Sequence, residues 1–376
     1  MEYNVISADD HVSETPGVWV DRVPAKIKQH VPHIKEIEGI STWFIGNEPV
    51  FRAGYAKNQE EIELRNKTAV PGNGTRSGDW NPIERLKDYT KDGVDAAALF
   101  PNFARFTGDP LSIIKDHDIR LACIQAYNDW LAEEFCKPDP LRLIPLALIP
   151  PWDVELAKIE AERCARKGHR GAIFGAALDV FGYTPTWDKY WDPFYSTLEE
   201  LNIPLIFHQP SASLDRPIFL DPNINLPQYI RTSARIAHTH SLIYPTCELL
   251  MSGILERHPR LRVLLAESGA SWLLYTLSQS DYNYKLFSPY DGNELTMLPS
   301  DYFRRQCHAG FWSDVITPEL VEWVGEDNIL WEGDYLHTIA TFPQSQTIID
   351  DSLKAIKDTN IRHKLLAGNS IKLFGL

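Results

Sequence analysis

The sequence predicts an α/β chain folded as a (β/α)8 TIM barrel, with insertions at the C-terminal face of the barrel. Three observations carry that expectation. Short apolar runs recur along the 376 residues, stretches with helical spacing separate many of them, and acidic or imidazole residues stand where several runs end. Strands alternating with helices build βαβ units and a parallel sheet, and such barrels place their chemistry at strand C-termini.

In chain order the strand candidates are Val5–Ala8, Ala96–Phe100, Leu143–Leu148, Ala172–Phe174, Pro204–Phe207, Arg262–Ala266, a less apolar run near Gln306–Gly310, and Ile329–Trp331. That makes eight, the number that closes a barrel. Amphipathic spacing runs through Ile119–Phe135, Val154–Lys167, Pro193–Leu201 and Pro245–His258. A barrel occupies about 250 residues, so roughly a hundred remain for insertions. The expectation is a single domain over residues 1–376 with its largest insertion at about residues 20–85, a polar stretch carrying the turn-rich "VPGNGTRSGDWNP". A second polar, aromatic-bearing stretch, "HQPSASLDRPIFLDPNINLPQYIRTS", follows the fifth strand. Both leave strand C-termini, so a lid or substrate wall is open for each, and equally a decoration or an oligomer contact.

Composition narrows the class. A net charge of −14 argues against nucleic acid and against anionic membrane surfaces, since no basic face could outweigh that field. No apolar run reaches the length of a membrane span, and "MEYNVISADD" lacks a basic and apolar leader pattern, so a cytoplasmic location is expected. The five cysteines are scattered without CxxC spacing and read as small buried apolar residues.

The strand ends carry the chemistry. Side chains alternate along a strand, so Asp9 and His11 share a face while Asp10 points the other way. Asp9, His11 and Glu14 follow the first strand, His208 the fifth, Glu267 the sixth and Asp334 the eighth. Taken singly, His208 reads as a core histidine, Asp334 as a turn former and Glu14 as a loop cap. Jointly they suit a divalent cation, because buried carboxylates without partners are expensive and mixed O/N donors favour such ions. In "RIAHTHSLIYP", His238 and His240 share a face if extended; either could complete the shell of a second ion or act as general base, or simply start a helix.

Several segments in the same order carry a resemblance: "ERLKDYTKDGVDAAALFP", "AYNDWLAEE", "SGILERHPRLRVLLAESGASW", "GDYLH" and "LLAGNSIKLFGL". Together the sequence resembles the amidohydrolase-related (amidohydrolase 2) branch of the amidohydrolase superfamily, the branch that contains aminocarboxymuconate semialdehyde decarboxylase and resorcylate decarboxylase. The resemblance implies that Asp9 and His11 are first-strand metal ligands, His208 the fifth-strand ligand, and Asp334 a ligand or proton-transfer carboxylate. It also implies a supporting role for His337 and a backbone-fixing one for Asn369. Many members of that branch carry His where this chain has Asp9, and a catalytic His where it has Glu267.

The expected function is a metal-dependent hydrolase or decarboxylase acting on a small organic acid or amide through a metal-activated water. Hydrolysis is favoured because the sixth-strand His is replaced. The expected metal residues are Asp9, His11, Glu14, His208, Glu267 and Asp334, holding one or two zinc, iron or manganese ions. The expected catalytic residues are Asp334, Glu267 and His240. Two rivals stand beside this: a dinuclear iron or manganese oxygenase oxidising a small amine or aliphatic substrate, and an inactive partner subunit. The expected assembly is a homo-oligomer, or a hetero-oligomer with a homologous subunit.

Overall fold

The computed structural model describes residues 2–68, 76–106, 110–209, 233, 236, 241–291 and 295–376. β1 (Ile6–Val12) leads into a separate antiparallel sheet of β2 (Pro32–Ile37), β3 (Ile40–Ile45) and β4 (Glu48–Arg52). The chain then lays down β5 (Ala96–Pro101), β6 (Leu143–Pro145), β7 (Ala147–Leu148), β8 (Ala172–Ile173), β9 (Leu205–His208), β10 (Val263–Ala266), β11 (Cys307–Phe311) and β12 (Ile329–Trp331). All pairs in the orders β1-β5-β6 and β7-β8-β9-β10-β11-β12 are parallel.

β6 and β7 act as one barrel strand interrupted at Leu146. Arg170 N–H donates to Pro145 O at 2.9 Å and Ala147 N–H to Gly171 O at 2.8 Å, which carries the ladder across to β8. The expected run near Gln306–Gly310 is β11, an interior strand despite its modest hydrophobicity. Burial on both faces is what parallel barrel strands require, and every described residue of β1, β5 and β9 is buried.

Closure happens between the first and last strands. Gly333 N–H donates to Ser7 Oγ at 2.8 Å, Asp334 N–H to Asp9 O at 2.9 Å, and His11 N–H to Tyr335 O at 3.1 Å. A polar cluster behind the seam locks it. The buried Arg85 donates to His11 O (2.7 Å), Gly78 O (2.8 Å) and Tyr89 Oη (3.1 Å), with its guanidinium 3.9 Å over the Tyr335 ring. Tyr89 Oη donates to Asp10 Oδ2 at 2.5 Å, and Ser7 Oγ and Tyr335 N–H donate to Asp10 Oδ1. Asp10 therefore faces away from the barrel mouth, as strand alternation requires.

Helices follow their expected spans closely. His117–Trp130 is capped by Asp116, whose carboxylate accepts the N–H groups of Asp118 and Ile119, and it runs on into a wider turn over Leu131–Phe135. Val154–Arg166 is capped in the same way by Asp153. The antiparallel sheet sits at the barrel mouth. Trp43 packs 5.0 Å from Trp19 and 4.7 Å from Phe103, and a Cβ on Gly54 would lie 2.3 Å from Ser13 Oγ. The polar stretch after β9 falls almost wholly on residues outside the described set.

Arg85→Met removes three donors and leaves Asp10 facing Tyr89 without a nearby cation. We expect a stability loss of about 3 kcal/mol or more, read as a lower urea midpoint at unchanged slope. An unchanged midpoint would show that the seam holds without the guanidinium.

Candidate metal centre

The mouth of the barrel gathers its groups from strands at opposite ends of the chain. β1 slips register against β5 between Ser7 and Asp10, a local irregularity of the kind that re-aims side chains beside active sites. Asp9 lies within that irregularity, with its Oδ1 3.4 Å from His11 Nε2. β9 delivers His208, whose Nε2 is 3.0 Å from Asp9 Oδ2, 3.5 Å from Glu267 Oε2 and 3.2 Å from His11 Nε2. Asp334 Oδ1 is 3.7 Å from His11 Nε2 and 2.6 Å from His337 Nδ1.

The two imidazoles are oriented by their outer nitrogens. His11 Nδ1 meets Pro101 O at 3.1 Å, and His208 Nδ1 meets Gln209 O. Each ring then carries its proton on Nδ1 and turns the Nε2 lone pair inward, the tautomer that binds metals. The two Nε2 atoms thus face each other inside a ring of carboxylate oxygens, and, although burial works the other way, Asp9 and Glu267 raise the pKa of His208. Asp334 Oδ2 is buried and accepts no hydrogen bond, and the buried Asp9 carboxylate meets the His208 imidazole at 3.0 Å. Among the described residues no lysine or arginine forms an ion pair with Asp9, Glu267, Glu332 or Asp334. Such a cluster of acceptors repels itself unless a cation or protons sit within it.

Electrostatics follow that geometry. Burial, reinforced by Asp334, pushes the Glu267 carboxyl up; burial with Asp9 and Asp10 does the same to Asp334. Burial and the neighbouring His337 and His208 hold His11 far below its ordinary range, so it stays neutral. Backbone strain concentrates here too. Glu267 and Asp334 adopt left-handed conformations (φ of 52° and 53°), and Leu336 has φ 91°, at a cost of about 1 kcal/mol or more each.

Of the expected metal residues, Asp9, His11, His208 and Glu267 form one group with ligand atoms within 4.8 Å of one another, and His11, Glu267, Asp334 and His337 form a second. The residues present fit a divalent ion. Glu14 is in neither group: its carboxylate is turned aside to accept the N–H groups of Phe103 (2.8 Å) and Ala104 (3.1 Å) at the end of β5. This corrects the expectation of a sixth ligand there. His238 and His240 lie outside the described residues.

One acidic residue escaped the sequence reading. Glu332 is fully buried beneath the cluster, where its carboxylate accepts the Glu267 N–H at 3.1 Å. Gly310 makes that placement feasible, since a Cβ there would lie 1.8 Å from Glu332 Cδ. Glu332 and Asp334 both lie beyond the end of β12, and the room for Glu332 is set by Gly310 on the neighbouring strand, so the sequence around Glu332 does not mark it. The aromatic wall is Phe106, stacked 3.7 Å from the His208 ring, with Phe100 at 4.8 Å.

A closed parallel barrel with buried imidazoles and carboxylates converging at the C-terminal mouth defines a barrel metalloenzyme. Comparison with known proteins makes this specific. A family model described as Amidohydrolase matches residues 27–376, and the chain belongs to the amidohydrolase family. It is 26% identical over 300 residues to a gamma-resorcylate decarboxylase of Rhizobium sp. (strain MTP-10005), covering 74% of this chain and 88% of that protein. Its fold resembles an amidohydrolase from Mycobacterium avium subsp. paratuberculosis K-10 with a TM-score of 0.74, at 17% identity and full coverage of both chains. It also resembles a dihydroxybenzoic acid decarboxylase from Polaromonas sp. JS666, solved with bound manganese and the inhibitor 2-nitroresorcinol, with a TM-score of 0.65 at 18% identity, covering 100% of this chain and 98% of that one. The protein is thus an amidohydrolase-superfamily enzyme.

Two outcomes check this centre. A cation displaces protons from the raised carboxyls, Glu267 among them at about 8, so the melting-temperature gain on adding manganese(II) should be small at about pH 5 and still rising through about pH 8; a gain independent of pH would contradict it. In the metal-free chain the sign reverses. Burial pushes Asp10 up to about 6 and Glu14 up to about 7, so the stability held by their protonated forms is lost as pH rises from the ordinary carboxyl range through those values. Separately, Gly310→Ala should cost about 1–3 kcal/mol and lower manganese affinity, measured by calorimetry, because Glu332 must move.

Proposed function

We propose that the protein is a metal-dependent decarboxylase of small aromatic acids, working as one unit over residues 1–376. The single observation that carries this is the buried set of acceptors built around two Nε2 atoms 3.2 Å apart, a set suited to a divalent cation. The gamma-resorcylate decarboxylase likeness and the manganese bound by the Polaromonas protein support the substrate class and manganese as the ion.

Asp9, His11, His208 and Glu267 would hold the ion, with Asp334 at its edge. Once bound, such an ion supplies a Lewis-acid anchor for the carboxylate or phenolate oxygens of the substrate. The chain's own residues do the rest. Phe100 and Phe106 give an apolar wall for a planar ring. Asp334, 2.6 Å from His337, donates a proton to the ring carbon that bears the carboxylate and becomes a carboxylate itself. The C–C bond then breaks, its electron pair restores the aromatic ring, and CO2 leaves. His337, hydrogen-bonded to Asp334 at 2.6 Å and partly open to solvent, returns the proton. Proton delivery to carbon needs no imidazole at the Glu267 position, whereas the hydrolytic alternative lacks an evident base there.

A second reading rests on a specific feature. The two four-residue groups overlap at His11 and Glu267, the arrangement in which two ions share a bridging carboxylate. Together with the added charge of Glu332, this supports a dinuclear iron or manganese oxygenase.

The test is release of CO2 from a panel of hydroxylated benzoic acids by manganese-loaded protein. Asp334→Asn should lower the rate by about 10²–10⁴-fold while elemental analysis still finds metal. Wild-type protein that binds two ions per chain, releases no CO2 and consumes dioxygen would replace the first reading with the second. An Asp334→Asn enzyme of normal rate would remove the proton donor from the scheme.

A further inference from the structure

The loop that leaves β5 turns one cation outward between two buried stretches. Glu14 grips the start of the loop, its carboxylate accepting the N–H groups of Phe103 at 2.8 Å and Ala104 at 3.1 Å. Phe103 and Ala104 are buried, and Phe106 dives back inward to stack on the His208 ring. Between them stands Arg105, exposed and left-handed, with φ 50°. A turn of that kind is least strained with glycine or asparagine, because a larger side chain crowds the left-handed backbone. The turn itself therefore does not call for arginine.

The Arg105 guanidinium lies 5.5 Å from the centroid of the Phe51 ring, on β4 of the sheet at the barrel mouth, and Phe51 packs 5.2 Å from Phe103. A ring face attracts the charge but occupies none of the guanidinium's in-plane N–H donors. Among the described residues Arg105 forms no hydrogen bond and no ion pair, whereas Arg85, Arg120 and Arg163 all donate to carbonyl or carboxylate oxygens. Its donors are free beside the residue whose ring covers a metal-ligating imidazole.

We propose that Arg105 is a specificity-determining residue that pairs with a second anionic group on the substrate, selecting aromatic acids that carry a carboxylate beyond the one taken up at the metal centre. This rests on the decarboxylase reading above and names the substrate class within it. A planar acid held against Phe106 presents its outer edge to the neighbouring position of the loop. The centre holds Asp9, Glu267, Glu332 and Asp334, and the chain carries −14, so a doubly negative substrate is repelled from the mouth unless a cation receives it. A guanidinium forks onto both oxygens of a carboxylate, while a monoacid, engaged at the ion through its single carboxylate, gains nothing from it.

Titration calorimetry of the manganese-loaded full chain with salicylate and with its ring-carboxylated isomers tests this. At low salt at least one diacid should bind wild-type protein about tenfold more tightly than salicylate, and added salt should shrink that ratio. Arg105→Asn suits the left-handed backbone, so it should not lower the melting temperature, yet it should bring the ratio close to one. Arg105→Lys keeps the charge without the fork and should give an intermediate ratio. A wild type without preference for any diacid, or Arg105→Asn protein that keeps the preference, overturns the proposal. The readout is separate from turnover: a preference that needs Arg105 upholds the pairing even where no CO2 is released, and CO2 release with an unchanged ratio in Arg105→Asn overturns the pairing while leaving the reaction in place.

Discussion

The whole site depends on one seam. Four hydrogen bonds join β1 to the exit of β12, across some 325 positions of sequence, and without them the carboxylates and imidazoles would belong to distant parts of an open sheet. The seam is not simply a strand ladder. Asp10 and Arg85 bind it from behind, so the outward half of the Asp9–Asp10–His11 run builds the barrel while the inward half faces the chemistry. A single tripeptide therefore couples fold closure to ligand placement. A rigid barrel is what permits acceptors to be held a few ångströms apart against their mutual repulsion.

The cost of that arrangement shows in the backbone. Left-handed conformations at Glu267 and Asp334 are unfavourable for residues with a Cβ, and they occur at the two points where a barrel strand gives way to a catalytic-face loop. Each turn swings a carboxylate toward His208 or His11 rather than along the strand direction. The buried core, from Ile6 and Leu99 through Leu264 to Trp331, supplies the surplus stability that tolerates both the strain and the uncompensated charge. A bound cation relieves the second of these and leaves the first in place.

Much of this architecture was legible because its signals are local. Apolar runs of strand length, separated by helical spacing and capped by residues such as Asp116 and Asp153, announced all eight barrel strands and most helices. The strand-end rule then selected Asp9, His11, His208, Glu267 and Asp334, which the structure gathers at one mouth. Glu14 misled because sequence position places it past a strand end yet says nothing of direction; the free N–H groups of Phe103 and Ala104 decide that, and they lie some 90 positions away. Glu332 stayed hidden for the complementary reason. Its space exists only because Gly310, on the neighbouring strand, has no side chain, and a contact across strands leaves no mark on either segment alone. The antiparallel sheet β2–β4 was likewise masked by the polar composition of a stretch that packs through a few aromatics such as Trp43.

Glu332 also bears on how the charge of the centre is balanced. Four carboxylates (Asp9, Glu267, Glu332 and Asp334) enclose the His11 and His208 imidazoles, and the buried Arg85 guanidinium is committed to the seam. One divalent ion offsets two of those charges. The remaining two must be carried by protons or by a second ion, and the choice divides the chemistry. Protons left on the cluster make it a reservoir from which Asp334 can protonate carbon, the need of a decarboxylase. A second ion removes that reservoir and leaves a bridged pair suited to redox work. Glu332, fully buried beside the Glu267 backbone, therefore bears on the proposed reaction through the proton count it imposes on the cluster.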